Sequence, residues 1–337
     1  MLATLKTTQG NQINFITLKN ENIEVTLLDI GAGIYSFKTK DSKDRLENIV
    51  LNYQDLDRYF DNSSYFGATV GRIAGRVADG EIILNNKKYF INKGNDKYSL
   101  HGGKKALSFK RFEFEILGEN KVIFFTTQYE KDDGFPNDAK IDVIYELLEN
   151  SLVISYKAQA NKQSVLSLTN HSYFNLSGNF KRTIINNRLK IPADKYIETD
   201  NELIPQKISN IIEPLDFRED EILIDKLSNS YFENSTEKGL DHIFLTNKKP
   251  IILDDTENGR KLRITSSYDA MVIYTANYPD ESILSNGRKM QKHDGICFEA
   301  QHTPNLSNNY DEFKGIFDSQ NDYSEFIRID CLLSSSD

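Results

Sequence analysis

The sequence predicts an all-β protein, specifically a large antiparallel β-sandwich, and three observations carry that prediction. Short runs of alternating apolar and polar residues recur along nearly the whole chain. Gly, Asn, Asp and Pro punctuate them at spacings of about 8–12 residues, and no long amphipathic helical pattern interrupts them. Roughly fifteen such strands are too many for a small barrel and suit two packed sheets. At 337 residues the chain can bury a sizeable core. No composition break, internal repeat or low-complexity tract divides it, so one domain spanning 1–337 is the expectation.

Residues 11–38 supply QINFITL, IEVTLL and GIYSFKT, separated by Asn20-Glu21-Asn22 and Gly31-Ala32-Gly33. YQDLDRYF at 53–60 reads as a short helix or turn, and the stretch around Asn85-Asn86 as a hairpin. The β signal is strongest from 109 to 159, in FKRFEFEIL, KVIFFTTQY, AKIDVIYELL and SLVISYKAQA. Such alternation marks strands with one buried and one wet face. SVLSLTN leads into TNHSYFNLSG at 169–178, and shorter strands follow at 188–192 and 242–253. Residues 200–240, polar and preceded or interrupted by Pro192, Pro205 and Pro214, read as long ordered loops, as does 277–294. KLRITSSY, AMVIYTA, GICFEAQ and EFIRIDCLL complete the strands.

The formal charge is −9 with no basic block, which disfavours nucleic acid and anionic membranes as partners. Cys297 and Cys331 are too few for a disulfide framework. The start lacks an apolar signal core, and no run approaches the ~18 apolar residues of a membrane helix, so a cytoplasmic location is expected. Asn-x-Ser/Thr triplets, among them Asn170-His171-Ser172, are read as chance matches to a glycosylation pattern, because a glycan there would block the site proposed next.

Only five histidines occur. One of them, His171, lies in TNHSYFNLSG, where a polar cluster at a strand end is followed by Tyr173 and Phe174. That pattern presents a side chain into a cleft with an apolar wall, and His171 is read as a general acid. Its expected partners are His101 in SLHGG, Glu299 in CFEAQ, Asp241 in GLDHIF and Arg72 in VGRIAGR. Each has a plainer alternative. Gly102-Gly103 either lets backbone approach a ligand or forms a simple turn. Alternation turns Glu299 to solvent as readily as into a cleft, and Asp241 shares that ambiguity. Arg72 and Arg76, beside Gly71 and Gly75, suit a guanidinium fork to hydroxyls or a carboxylate, or else a surface ion pair. His242 and His302 stand beside or near Asp241 and Glu299 and are secondary candidates for the cleft lining, while His293 stays unassigned. GRIAGRVADG lacks the Gly-Lys-Ser/Thr ending of a phosphate loop, and no Cys-x-x-Cys or His-Glu-x-x-His occurs. His101, His171 and Glu299 form a potential two-histidine, one-carboxylate metal set that sequence alone does not exclude. With no Trp, sugar stacking falls to Tyr or Phe.

Taken together, YFGATVGRIAGRVADG, SLHGG, DGFPND, TNHSYFNLSG, GLDHIF and CFEAQHTPN resemble the aldose 1-epimerase (galactose mutarotase) family, in the family's order and over roughly residues 25–330. The resemblance implies the family's large antiparallel sandwich. It also implies that Glu299 is the catalytic base, that His171 is the acid, and that His101, Arg72 and Asp241 bind sugar hydroxyls. The chain departs from many members at Gly75, where they have Asn, and at Asn137, where they have Gly. The second change is mild, since Asn tolerates positive φ; the first bears on sugar preference. The implied activity is interconversion of the α and β anomers of a free hexose such as galactose or glucose, with no metal or organic cofactor. The expected partner is that small sugar, and the expected assembly is a monomer or homodimer. A burial-raised Glu299 and an imidazolium favoured by nearby carboxylates are expected to poise the pair near neutral pH. The alternatives are a non-catalytic carbohydrate-binding protein, an epimerase of a phosphorylated hexose or disaccharide, and a metal-dependent β-barrel enzyme.

Overall fold

The computed structural model describes residues 1–93 and 96–334. Three antiparallel sheets dominate it. A five-stranded sheet runs in chain order through Leu2–Lys6, Gln12–Lys19, Ile23–Leu28, Gly33–Lys40 and Leu46–Asn48. A nine-stranded sheet is centred on Ala139–Leu147, Ser151–Gln159, Tyr323–Leu333 and Arg260–Ser266. A six-stranded sheet orders Tyr173–Phe174, Ile296–Gln301, Ala270–Tyr274, Asp241–Phe244, Lys195–Thr199 and Pro205–Asn210. The antiparallel sandwich read from the alternation is the observed architecture.

The six- and nine-stranded sheets pack face to face. Phe174 and Phe298 of the former meet Ile154, Ile264, Ile327 and Ile329 of the latter across a small gap. These side chains belong to one hydrophobic cluster that also takes in Val25, Leu27 and Phe37 of the five-stranded sheet. The period-two pattern explains the arrangement. Along Ile296–Gln301 the residues Ile296, Phe298 and Ala300 enter that core, so Cys297, Glu299 and Gln301 must project from the other face.

Local predictions fare unevenly. Leu56–Phe60 is a 3₁₀ turn capped by Asp55, whose carboxylate accepts from the Asp57 N–H. Glu81–Leu84 and Lys87–Phe90 form the predicted hairpin, with Asn85 and Asn86 both at positive φ as a tight two-residue turn requires. Residues 200–240 carry more structure than the loops expected of them: a strand at Pro205–Asn210 and short helices at Leu223–Leu227 and Ser230–Asn234. Those helices are five residues each, too short for a 3.6-residue period to stand out. Among the described residues no helix is long and apolar enough to cross a membrane.

Candidate active site

The exposed face of the six-stranded sheet is the floor of a cleft. Its cross-strand register aligns two rows. One row runs Tyr173, Cys297, Tyr274, Asp241, and the other runs Glu299, Val272, Ile243. Alternation therefore decides what the sequence left open: Glu299 and Asp241 face the cleft. Loops above the floor add Ser63, Ser64, Tyr65, Gly75, Arg76, His101 and His171. The cleft holds a cavity of about 210 Å³.

His171 is delivered by the short turn between Thr169–Asn170 and Tyr173–Phe174. Asn170 Oδ1 accepts from the Ser172 N–H at 3.1 Å and from its hydroxyl at 2.6 Å, an Asx turn that swings the residue between them outward. Asn175 and Ser177 repeat the device five residues on. Asn170 and Asn175 are buried, so both triplets serve turns. Tyr173 then lines the cleft while Phe174 enters the core.

His101 sits at φ +51. The Gly75 N–H donates to its Nδ1 at 3.2 Å, and its own N–H donates to the Gly75 carbonyl at 2.9 Å. With Nδ1 accepting, the proton of the neutral ring lies on Nε2. The glycines after it serve the protein's own backbone: a Cβ on Gly102 would lie 1.9 Å from the Gly71 carbonyl oxygen, and one on Gly103 2.3 Å from that of Asn92.

Glu299 is 3% exposed. Its Oε1 lies 3.5 Å from His171 Nε2, and its Oε2 has no hydrogen-bond partner and lies 3.9 Å from His101 Nδ1. Burial raises its pKa to about 8, against a smaller opposing pull from Arg76. Burial likewise raises Asp241 to about 6, with Arg76 opposing and Glu299 assisting. His171 is lowered to about 4: burial outweighs the help of a backbone hydrogen bond and of Asp241, so the imidazolium expected from charge alone is not favoured. His101 is pushed down further, by burial and then by His171 and Arg76. Cys297 Sγ lies 3.7 Å from His171 Nδ1, and the Tyr65 and Tyr173 rings stand 5.6 and 5.2 Å from the imidazole. Donor atoms of His101, His171 and Glu299 lie within 4.8 Å of one another, the set available to a metal ion.

Of the five residues singled out, the structure brings four into the cleft and leaves Arg72 out. The Arg72 guanidinium is held elsewhere: Nε lies 2.9 Å from Asp133 Oδ2, and the terminal nitrogens donate to the carbonyls of Gln128, Pro136 and Asn137 and to Ser164 Oγ. DGFPND is thus the receptacle for Arg72. Asn137, at φ +56, takes the conformation a glycine would. Arg76, four residues on, is the arginine that lines the cleft. It rests 5.3 Å over the Tyr98 ring with its Nε unpartnered. Gln301 and Tyr274 also line the cleft without having been singled out. For Gln301 the available signal was its place two residues beyond Glu299, on the same face. His242 and His302 do not line it: alternation turns His242 away from Asp241's face toward Tyr231, and His302 packs against Tyr268 with Nε2 3.5 Å from Glu325.

The profile of the aldose 1-epimerase family matches residues 14–329. The chain belongs to the aldose 1-epimerase family. It is 32% identical over 316 residues to the aldose 1-epimerase of Haemophilus influenzae, covering 90% of this chain and 91% of that one. It is 29% identical over 305 residues to the galactose mutarotase of Mus musculus, with 89% and 88% covered. Among solved structures, an aldose epimerase homologue from C. elegans superposes with a TM-score of 0.86 at 25% identity, covering 96% of this chain and all of that one. A galactose 1-epimerase from Lactobacillus acidophilus has the same fold, with a TM-score of 0.84 at 24% identity over 99% and 98% of the two chains. The family is one of isomerases, and the large antiparallel β architecture is common to these structures.

Proposed function

We propose that the protein interconverts the α and β anomers of a free hexose such as galactose or glucose, with Glu299 as base and His171 as acid. The observation that carries this reading is the 3.5 Å approach of Glu299 Oε1 to His171 Nε2 in a cleft that also holds Asp241, His101 and Arg76. Opening a pyranose requires one proton to leave the anomeric hydroxyl and one to reach the ring oxygen. A pair with one member near 8 and the other near 4 holds a single proton across the neutral range, which is the count that exchange needs. The order of the two values puts this proton on Glu299. Sugar hydroxyls donating to the carboxylate favour its ionised form, and a sugar oxygen accepting from His171 Nε2 favours the imidazolium, so binding draws the proton toward His171.

Glu299 then takes the proton from O1, the C1–O5 bond breaks as C1=O1 forms, and His171 Nε2 protonates O5. Rotation about C1–C2 presents the other carbonyl face. O5 attacks C1 as its proton returns to His171, and Glu299 gives its proton back to O1. The lining has one arginine and no lysine among the described residues, which favours an uncharged sugar over a phosphorylated one.

Polarimetry of freshly dissolved α-galactose and α-glucose tests the reading: catalysed relaxation is expected. An inert protein that still binds these sugars by calorimetry would instead establish the non-catalytic alternative. Metal analysis of the purified protein tests whether the His101, His171 and Glu299 donors carry an ion.

A further inference from the structure

One buried group in the cleft has no task in the mechanism. Gln301 is 1% exposed and lines the cleft, yet neither its Oε1 nor its Nε2 has a hydrogen-bond partner. A buried carboxamide with both atoms unpaired is rare unless something outside the chain completes it. What keeps it open is Gly75, which also lines the cleft. A Cβ on Gly75 would stand 3.5 Å from Gln301 Oε1 and 3.8 Å from Nε2, so any longer side chain there would lie against the amide. Gln301 is two residues beyond Glu299 on the same strand face, about 7 Å along the strand, a span that one pyranose bridges.

We propose that Gly75 and Gln301 form the specificity subsite of the cleft. The Gln301 carboxamide, one acceptor and one donor side by side, pairs with two adjacent ring hydroxyls of a sugar whose anomeric carbon lies between Glu299 and His171. Gly75 is the gap that admits them. The inference rests on the mutarotase reading and adds which part of the sugar is discriminated.

The test is a cycle between substrate and protein changes. kcat/KM is measured for galactose and for its 2-, 3-, 4- and 6-deoxy forms, in wild type, Gln301→Met and Gly75→Asn. In wild type, two neighbouring deoxy positions are expected to lose about tenfold each. Gln301→Met, which removes both contacts, is expected to lose about 100-fold on galactose and to turn over those two deoxy sugars no worse than galactose. Gly75→Asn, tolerated at φ +78, supplies the amide with a protein partner and shrinks the same two penalties, so it reports even if the Met variant fails to fold. Deoxy penalties unchanged in either folded variant would overturn the proposal. If wild type turns over no sugar, the mutarotase reading has failed separately, and the same cycle is read in Kd by calorimetry with the same criteria.

Discussion

Arg72 and Arg76 are four residues apart and have opposite fates. Arg72 is buried in a nest of an ion pair, three carbonyls and a hydroxyl. Arg76 lies in the cleft over an aromatic ring with its Nε unpaired. The first guanidinium gives its terminal nitrogens to the protein and, with its Nε ion-paired to Asp133, ties the segment 71–76 to the DGFPND loop. The second keeps its donors for a ligand. The same contrast marks the carboxylates: Asp133 faces the full charge of Arg72 at 2.9 Å, whereas Glu299 has only the imidazoles of His171 and His101 near it, at 3.5 and 3.9 Å. An ion pair between full charges holds the scaffold at Arg72, while the cleft keeps a carboxylate and an arginine without such a partner, the pattern expected of a functional site.

Substitution in the cleft should give the largest effect. Glu299→Gln and His171→Asn should each lower kcat by about 10²–10⁴-fold with the fold intact by circular dichroism. Because the folded-state pKa of Glu299 is raised, its stability contribution is fully present below its unfolded value of 4.5 and lost as pH rises through about 8. Glu299→Gln should therefore match wild type in melting temperature at pH 4 and below, gain on it as pH rises, and exceed it fully at pH 8 and above. Near-wild-type turnover in either variant removes that residue's role.

On the scaffold side, Arg72→Ala strands the buried Asp133 and should cost about 3–5 kcal/mol of stability, read from the denaturant midpoint. Arg76→Ala should change stability by less than about 0.5 kcal/mol while raising KM by roughly 10–100-fold. The reverse pattern, a stable Arg72→Ala enzyme with weakened affinity, would break the comparison.

These outcomes bear on what the sequence could disclose. The sandwich was legible because period-two burial repeats over many strands, so each reinforces the others. His171 was legible because a polar cluster at the end of a strand-like run is followed directly by the aromatic pair Tyr173 and Phe174. Which arginine reaches the cleft was not, because residues 71–76 follow no helical or strand period and the receptacle for Arg72 lies 60 residues downstream. The face occupied by Glu299 needed the position of its strand within the sheet, since Ile296–Gln301 is buried on both sides. The lowered His171 was missed for a related reason: the charges near it are visible in the sequence, but the burial that overrides them exists only after folding.

The most direct test of the central claim, that a buried Glu299–His171 pair holds one shared proton and passes it through the sugar, is the pH profile of kcat/KM. After subtraction of spontaneous mutarotation, the account predicts a plateau across neutral pH, a fall below about 4 as the pair gains a second proton, and a fall above about 8 as it loses its only one. Removing the Arg76 charge, which holds Glu299 down, should move the alkaline limb to higher pH. A rate that climbs steadily through pH 9, or an alkaline limb at the same pH in wild type and Arg76→Ala, would contradict it.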